Sequence, residues 1–167
     1  MEWRRRKGRM GMTNQRPGEL EKMKLGGNSP EWLEELDHTA DTGIIVTAPG
    51  LKELFGRAAW DMFSVITDLS PVQPRVATQL SVEATDQRAL MVKWLSELNV
   101  QHITKHWLFS RFDITELDDT HISADVHGEP IDPARHTIYT EVKAITFHDL
   151  RIEKEGGLWK AQIIFDL

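Results

Sequence analysis

The stretch Glu35-Leu36-Asp37-His38-Thr39-Ala40-Asp41-Thr42-Gly43-Ile44 places two aspartates and a histidine beside a hydrophobic strand. Residues 31–38 and 42–48 are predicted to form two short strands, and the second is apolar over residues 44–46. A strand fixes the backbone of a carboxylate at its end while the head group stays near solvent, which suits metal or proton chemistry. Asp41 is therefore a candidate ligand that needs partners elsewhere in the chain.

Two helices and a further strand are predicted after this segment. Over residues 51–66 the apolar side chains recur every three or four positions, which predicts an amphipathic helix that ends before Pro71. Residues 76–84 alternate between apolar and polar, as in a half-buried strand. Asp86 can cap a second helix, whose apolar stripe lies within residues 90–98.

The rest of the chain is rich in predicted strands. These strands span residues 107–117, 121–127, 140–154 and 158–166, separated by Gly128, Asp132-Pro133 and Gly156-Gly157. This order predicts an α+β fold, a layered domain with a mostly antiparallel sheet covered by two amphipathic helices. The length of 167 residues fits one domain, here residues 31–167, after an N-terminal tail.

The last strand brings a second acid into consideration. Alternate residues of a strand face opposite sides of the sheet. One face is formed by the mostly apolar residues Trp159, Ala161, Ile163, Phe165 and Leu167, and the opposite face by Lys160, Gln162, Ile164 and Asp166. Asp166 is therefore expected to point away from the core, one residue before the carboxylate of Leu167. Together with Asp41 these groups would supply oxygen donors suited to Ca²⁺ or Mg²⁺. Spacing alone favours solvated surface acids, because the two aspartates meet only if the first and last strands are neighbours.

Composition restricts the possible chemistry. The chain has no cysteine, so disulfides, thiolate zinc sites and cysteine nucleophiles are excluded. No apolar run approaches the roughly 18 residues of a membrane span, and the N-terminus lacks the apolar stretch of a secretion signal. We expect a soluble cytoplasmic protein without membrane partners.

The N-terminal tail, residues 1–30, differs in charge from the rest. It contains eight Lys or Arg and three Glu, which gives a net charge of +5. Since the whole chain has a net charge of −6, the remainder carries −6 − 5 = −11. We predict a disordered, solvated leader. Its alternative role is an RNA or partner contact through phosphates, whereas the acidic body does not suggest direct nucleic-acid binding.

Other polar residues have more ordinary interpretations. His38 is more often a capped or buried imidazole than a ligand, and Asp37 and Asp61 are interpreted as surface or capping acids. His136 and His148 could form a second metal site, but their spacing matches no two-ligand signature. Walker, dinucleotide-binding, nucleophile-elbow and zinc-protease motifs are all absent from the sequence.

Lys143 lies within residues 140–154, a predicted strand with apolar residues on both sides of the lysine. Such a lysine is usually an exposed cation. Its functional interpretation is an electrostatic contact with an anion or with an acidic partner.

Several of these motifs, taken together and in this order, resemble those of the archease family. They are DHTAD at residues 37–41, LKELF at 51–55, WLSEL at 94–98, EVKAITFH at 141–148 and the terminal IFDL at 164–167. The similarity extends from about residue 33 to the last residue. Thr42 departs from the branched apolar residue that usually follows the first motif.

The resemblance implies an accessory protein rather than an enzyme. Archeases activate the RtcB-type RNA ligase of tRNA splicing and RNA repair, promoting its GTP-dependent guanylylation and its multiple turnover. The metal site of the family would correspond to Asp41, Asp166 and Leu167, with Ca²⁺, Mg²⁺ or Mn²⁺ as the divalent ion. Lys143 would correspond to the functionally required lysine of the family. His38 would lie next to the metal ligands without binding the ion itself.

Two alternatives from other functional classes remain open. The same acids could serve a stand-alone phosphoester hydrolase that depends on a divalent metal ion. An acidic surface without catalytic motifs is also compatible with a general protein chaperone.

Overall fold

The computed structural model describes residues 30–37 and 41–167. In chain order the elements are β1 (Leu33–Asp37), β2 (Asp41–Ala48), α1 (Leu51–Ile66), β3 (Val76–Glu83), α2 (Gln87–Lys105), β4 (Trp107–Leu117), β5 (His121–Pro130), β6 (Ala144–Glu155) and β7 (Leu158–Asp166). The predicted α+β class is confirmed. No helix in the described part of the chain is long and apolar enough to cross a membrane. The predicted disorder concerns the tail of residues 1–30, of which residues 1–29 lie outside the described part of the chain.

The strands are divided between two antiparallel sheets. One has the order β1-β2-β7-β6, and the other has the order β3-β5-β4. The last strand, β7, pairs with β2 on one side and with β6 on the other. The two ends of the described domain are therefore joined in the middle of one sheet.

The two helices cover the sheets as their apolar stripes predict. Helix α1 contacts β2 and β7 of the larger sheet and β4 of the smaller sheet, and helix α2 likewise contacts both sheets. The side chain of Asp86 accepts a hydrogen bond from the main-chain N–H of Ala89 at 2.8 Å, which confirms the predicted cap. Between the helices, the buried indole of Trp94 donates to the carbonyl of Phe55 at 3.1 Å. These contacts join both sheets through one hydrophobic core.

The prediction that Asp61 is a surface or capping acid is wrong. Asp61 is fully buried on α1, and neither carboxylate oxygen has a hydrogen-bond partner within the described residues. Burial raises the pKa of this carboxyl to about 8, although the nearby Trp32 indole and the Arg57 charge act in the opposite direction. Asp61 is therefore mostly protonated at neutral pH, because the buried carboxylate form is poorly solvated.

Strand β7 has the predicted alternation, with one exception. Ala161, Ile163 and Phe165 are buried and Asp166 is exposed. Ile164, on the outward parity, is also buried; it lies opposite Gly43 of β2, which in turn pairs with Leu36 of β1. A Cβ atom at Gly43 would lie only 2.7 Å from Ile164 Cδ1 and 3.0 Å from Leu36 Cβ, so the glycine permits this close packing.

Candidate metal centre

Asp41 and Asp166 are direct partners in the antiparallel ladder between β2 and β7. Side chains of such a pair project from the same face of the sheet, with Cβ atoms about 4.5 to 5.5 Å apart. Asp166 is exposed and Asp41 is partly exposed, so both carboxylates remain near solvent. The neighbouring arrangement of the first and last strands, on which a shared site depends, is therefore present.

The two aspartates are available for a ligand. Neither side chain forms a hydrogen bond or an ion pair with the residues that the structure describes. Two facing carboxylates suit a hard divalent ion, because each supplies oxygen donors and their mutual repulsion falls when a cation binds. The donor set thus fits Ca²⁺, Mg²⁺ or Mn²⁺.

Leu167 follows Asp166 at the end of β7. Its side chain is partly buried and packs against the hydrophobic core. Within the described ranges, no group of three or more His, Asp or Glu side chains is arranged around a common metal position. A metal ion at Asp41 and Asp166 would therefore need further oxygen donors, such as a main-chain oxygen of Leu167 or water.

Lys143 lies beside Asp166, but not within a strand. Strand β6 begins at Ala144, so the predicted strand over residues 140–154 starts too early. The main-chain N–H of Lys143 donates to the carbonyl of Asp166 at 2.8 Å, and Ala144 is the ladder partner of Asp166. The Lys143 side chain is exposed. An exposed cation thus has its backbone attached to one of the two paired acids.

The segment from Ile131 to Lys143 joins β5 to β6 and is fixed near its start by Glu129. This acid is 2% exposed and accepts hydrogen bonds from Arg135 at 2.9 and 3.1 Å. It also accepts from the main-chain N–H of Gln73 at 2.9 Å. Because the Arg135 hydrogen bonds favour the charged form, the pKa of Glu129 falls to about 2. This network stabilises the irregular segment that leads to Lys143.

A second metal site at His136 and His148 is not supported by their surroundings. His136 is buried, with Nε2 at 3.0 Å from Glu129 Oε1, and its Nδ1 accepts the main-chain N–H of Asp132 at 2.9 Å. Both nitrogens are therefore already engaged. His148 is exposed and lies 3.4 Å from the carboxylate of Asp149. His38 falls outside the described residues, and its proposed place next to the metal ligands stays a prediction.

Comparisons with known proteins agree in one family. Residues 33–167 match the sequence model of the archease protein family (MTH1598/TM1083). The archease of Methanopyrus kandleri is 38% identical over 137 residues, which cover 80% of this chain and 98% of that protein. The archease of Methanothermobacter thermautotrophicus is 40% identical over 138 residues, with coverage of 81% and 98%.

Two solved structures are similar as well. The solution structure of Methanobacterium thermoautotrophicum protein 1598 has a TM-score of 0.67 and 36% identity, covering 81% of this chain and 99% of that one. An archease from Thermotoga maritima, described as a possible chaperone, has a TM-score of 0.53 and 18% identity, with coverage of 80% and 96%. At this lower identity the second structure supports the fold alone.

Proposed function

Because this chain belongs to the archease family, we propose that it is an accessory protein that binds a divalent metal ion and activates an RtcB-type RNA ligase. In this role it promotes guanylylation of the ligase with GTP and allows repeated turnover in tRNA splicing and RNA repair. The protein itself does not join RNA ends. We place its action in the cytoplasm.

The observation that carries the proposal is the ladder pairing of Asp41 with Asp166. It brings two carboxylates from opposite ends of the domain to one position at the sheet margin, where a large partner can reach them. Asp41, Asp166 and a main-chain oxygen of Leu167 would hold the ion. A divalent ion supplies concentrated positive charge, which neutralises phosphate oxygens.

Lys143 contributes a second positive charge beside the acids. Its backbone is held at Asp166 while its side chain is free to extend into solvent. We assign Lys143 the role of contacting phosphate or carboxylate groups of the ligase–nucleotide complex. A lysine acts here as a flexible point charge that can adapt to a partner surface.

A reconstituted ligation assay tests this function against the alternatives. The purified protein alone, with metal ions, should not hydrolyse a phosphoester substrate, which separates it from a hydrolase. Added to an already folded, purified RtcB-type ligase, it should increase product beyond one turnover per ligase. Stimulation of a folded ligase would also argue against general chaperone activity. Phosphoester hydrolysis by the protein alone, or no effect on the ligase, would contradict the proposal.

A further inference from the structure

A single peptide group next to the proposed metal centre is held from two sides. The carbonyl of Val142 accepts a hydrogen bond from Asn99 Nδ2 at 2.7 Å. The N–H of the same peptide belongs to Lys143 and donates to the carbonyl of Asp166 at 2.8 Å. Helix α2 and strand β7 therefore fix the orientation of the Val142–Lys143 peptide together.

The surroundings of this peptide make Asn99 important for the position of Lys143. Val142 is 1% exposed, whereas Lys143 points into solvent. The chain thus passes from the core to the surface at this peptide, immediately before β6 begins. The path of the exposed lysine depends on how the preceding peptide is oriented, because each peptide group is planar and turns as a unit.

Asn99 is an unusual residue for its place in the helix. It is only 5% exposed, and its Oδ1 atom has no hydrogen-bond partner within the described residues. An apolar side chain would fill this buried helix position without leaving a carbonyl oxygen unpaired. The hydrogen bond to Val142 is the contact that an apolar residue could not replace.

We propose that Asn99 is a positioning residue that holds Lys143 beside Asp166 through the Val142 carbonyl. This inference rests on the proposed role of Lys143 in activating the ligase. Asn99 does not touch the ligase or the metal ion. It restricts the directions in which Lys143 can extend, and small errors in the placement of a charged group reduce its effect strongly.

Amide hydrogen exchange in the full chain tests the structural part directly. The variant Asn99→Leu removes the donor, and Asn99→Ala, which also lacks a donor and is smaller, serves if the leucine variant does not fold. Exchange at the Lys143 amide should accelerate about tenfold or more relative to Ile163 in the same variant. The control Trp94→Phe removes another buried hydrogen bond of α2, to Phe55, and should not change this ratio. An unchanged ratio in the Asn99 variant would overturn the proposal.

Ligase stimulation with a double-mutant cycle tests the functional part. If Asn99 acts through Lys143, Asn99→Leu should reduce stimulation several-fold, and the double variant with Lys143→Ala should be no weaker than Lys143→Ala alone. Full stimulation by Asn99→Leu, when Lys143→Ala is impaired, would refute the positioning role. If Lys143→Ala is itself fully active, the proposed role of Lys143 fails, and the positioning role in ligase activation fails with it. In that case the exchange ratio still shows whether Asn99 orients the peptide.

Discussion

Asp41 and Asp166 face each other across the β2–β7 ladder, although they lie near opposite ends of the described domain. Each is a terminal residue of its strand, so the pair is located at the margin of the sheet. Correct pairing of the first and last strands is therefore a condition for forming the candidate site. A metal ion bound there would bridge these strands and stabilise the folded state.

Removal of one acid should weaken metal binding. For Asp166→Asn we expect at least about a tenfold loss of Ca²⁺ or Mg²⁺ affinity, equivalent to about 1.4 kcal/mol, because one of two facing charges is lost. Isothermal titration calorimetry measures this change. Asp149→Asn, at another exposed acid on β6, is the matched control and should retain its affinity. Equal affinities for the wild type and the Asp166 variant would exclude Asp166 as a ligand.

Replacing Asp61 by asparagine should change how the free energy of unfolding depends on pH. The folded-state pKa is about 8 against an ordinary value of 3.8, so between these values the folded state keeps a proton that the unfolded state loses. The free energy of unfolding of the wild type should therefore fall as pH rises through this window, by up to roughly 1.4 kcal/mol per pH unit from this group. Asp61→Asn should lack this contribution and should be the more stable protein near pH 8.

Denaturant unfolding at pH 5, 6, 7 and 8 measures the Asp61 effect. Glu53→Gln removes an exposed acid on the same helix, which pairs with Arg57 at 3.3 Å, and serves as the control. The control should keep the wild-type pH dependence. Parallel curves for the wild type and Asp61→Asn would show that Asp61 is not a buried, protonated acid.

Loss of the Glu129 carboxylate should destabilise the domain above about pH 4.5. Its pKa falls from 4.5 to about 2 on folding, so its stabilising contribution is present above about pH 4.5 and is lost as pH falls toward 2. At neutral pH, Glu129→Gln should cost roughly 3 kcal/mol, since the Arg135 and His136 contacts lose their charged partner. The difference from the wild type, followed by thermal unfolding, should shrink below pH 4. A constant difference from pH 7 to pH 2 would contradict this assignment.

The sequence predicts the local elements well because each depends on neighbouring residues. The cap at Asp86 and the outward direction of Asp166 follow from short-range geometry, and both are present. The pairing of Asp41 with Asp166 depends on which strands are neighbours in the sheet, and the local pattern of apolar residues does not determine this order. The late start of β6 has a similar cause, since the Val142–Lys143 peptide is held by Asn99 at its carbonyl and by Asp166 at its N–H, two residues that are distant in sequence.

The burial of Asp61 and the role of Asn99 differ in how far the sequence could reveal them. Helix α1 packs against both sheets, so burial extends beyond the single stripe that a period of 3.6 residues describes, and Asp61 lies in this wider region.

Asn99 follows Leu95 by one helical turn and therefore lies on the apolar stripe of α2. A lone amide on a buried helix face is a detectable signal of a specific hydrogen bond.

Guanylylation of a purified RtcB-type ligase across a metal titration tests the central claim most directly. With GTP and limiting Mg²⁺ or Mn²⁺, the wild-type protein should increase the amount of guanylylated ligase, and Asp149→Asn should match it. Asp166→Asn and Lys143→Ala should both stimulate less, and only the Asp166 variant should recover at high metal concentration. Full stimulation by Asp166→Asn at limiting metal would contradict the claim that this protein acts through a metal ion held by Asp41 and Asp166.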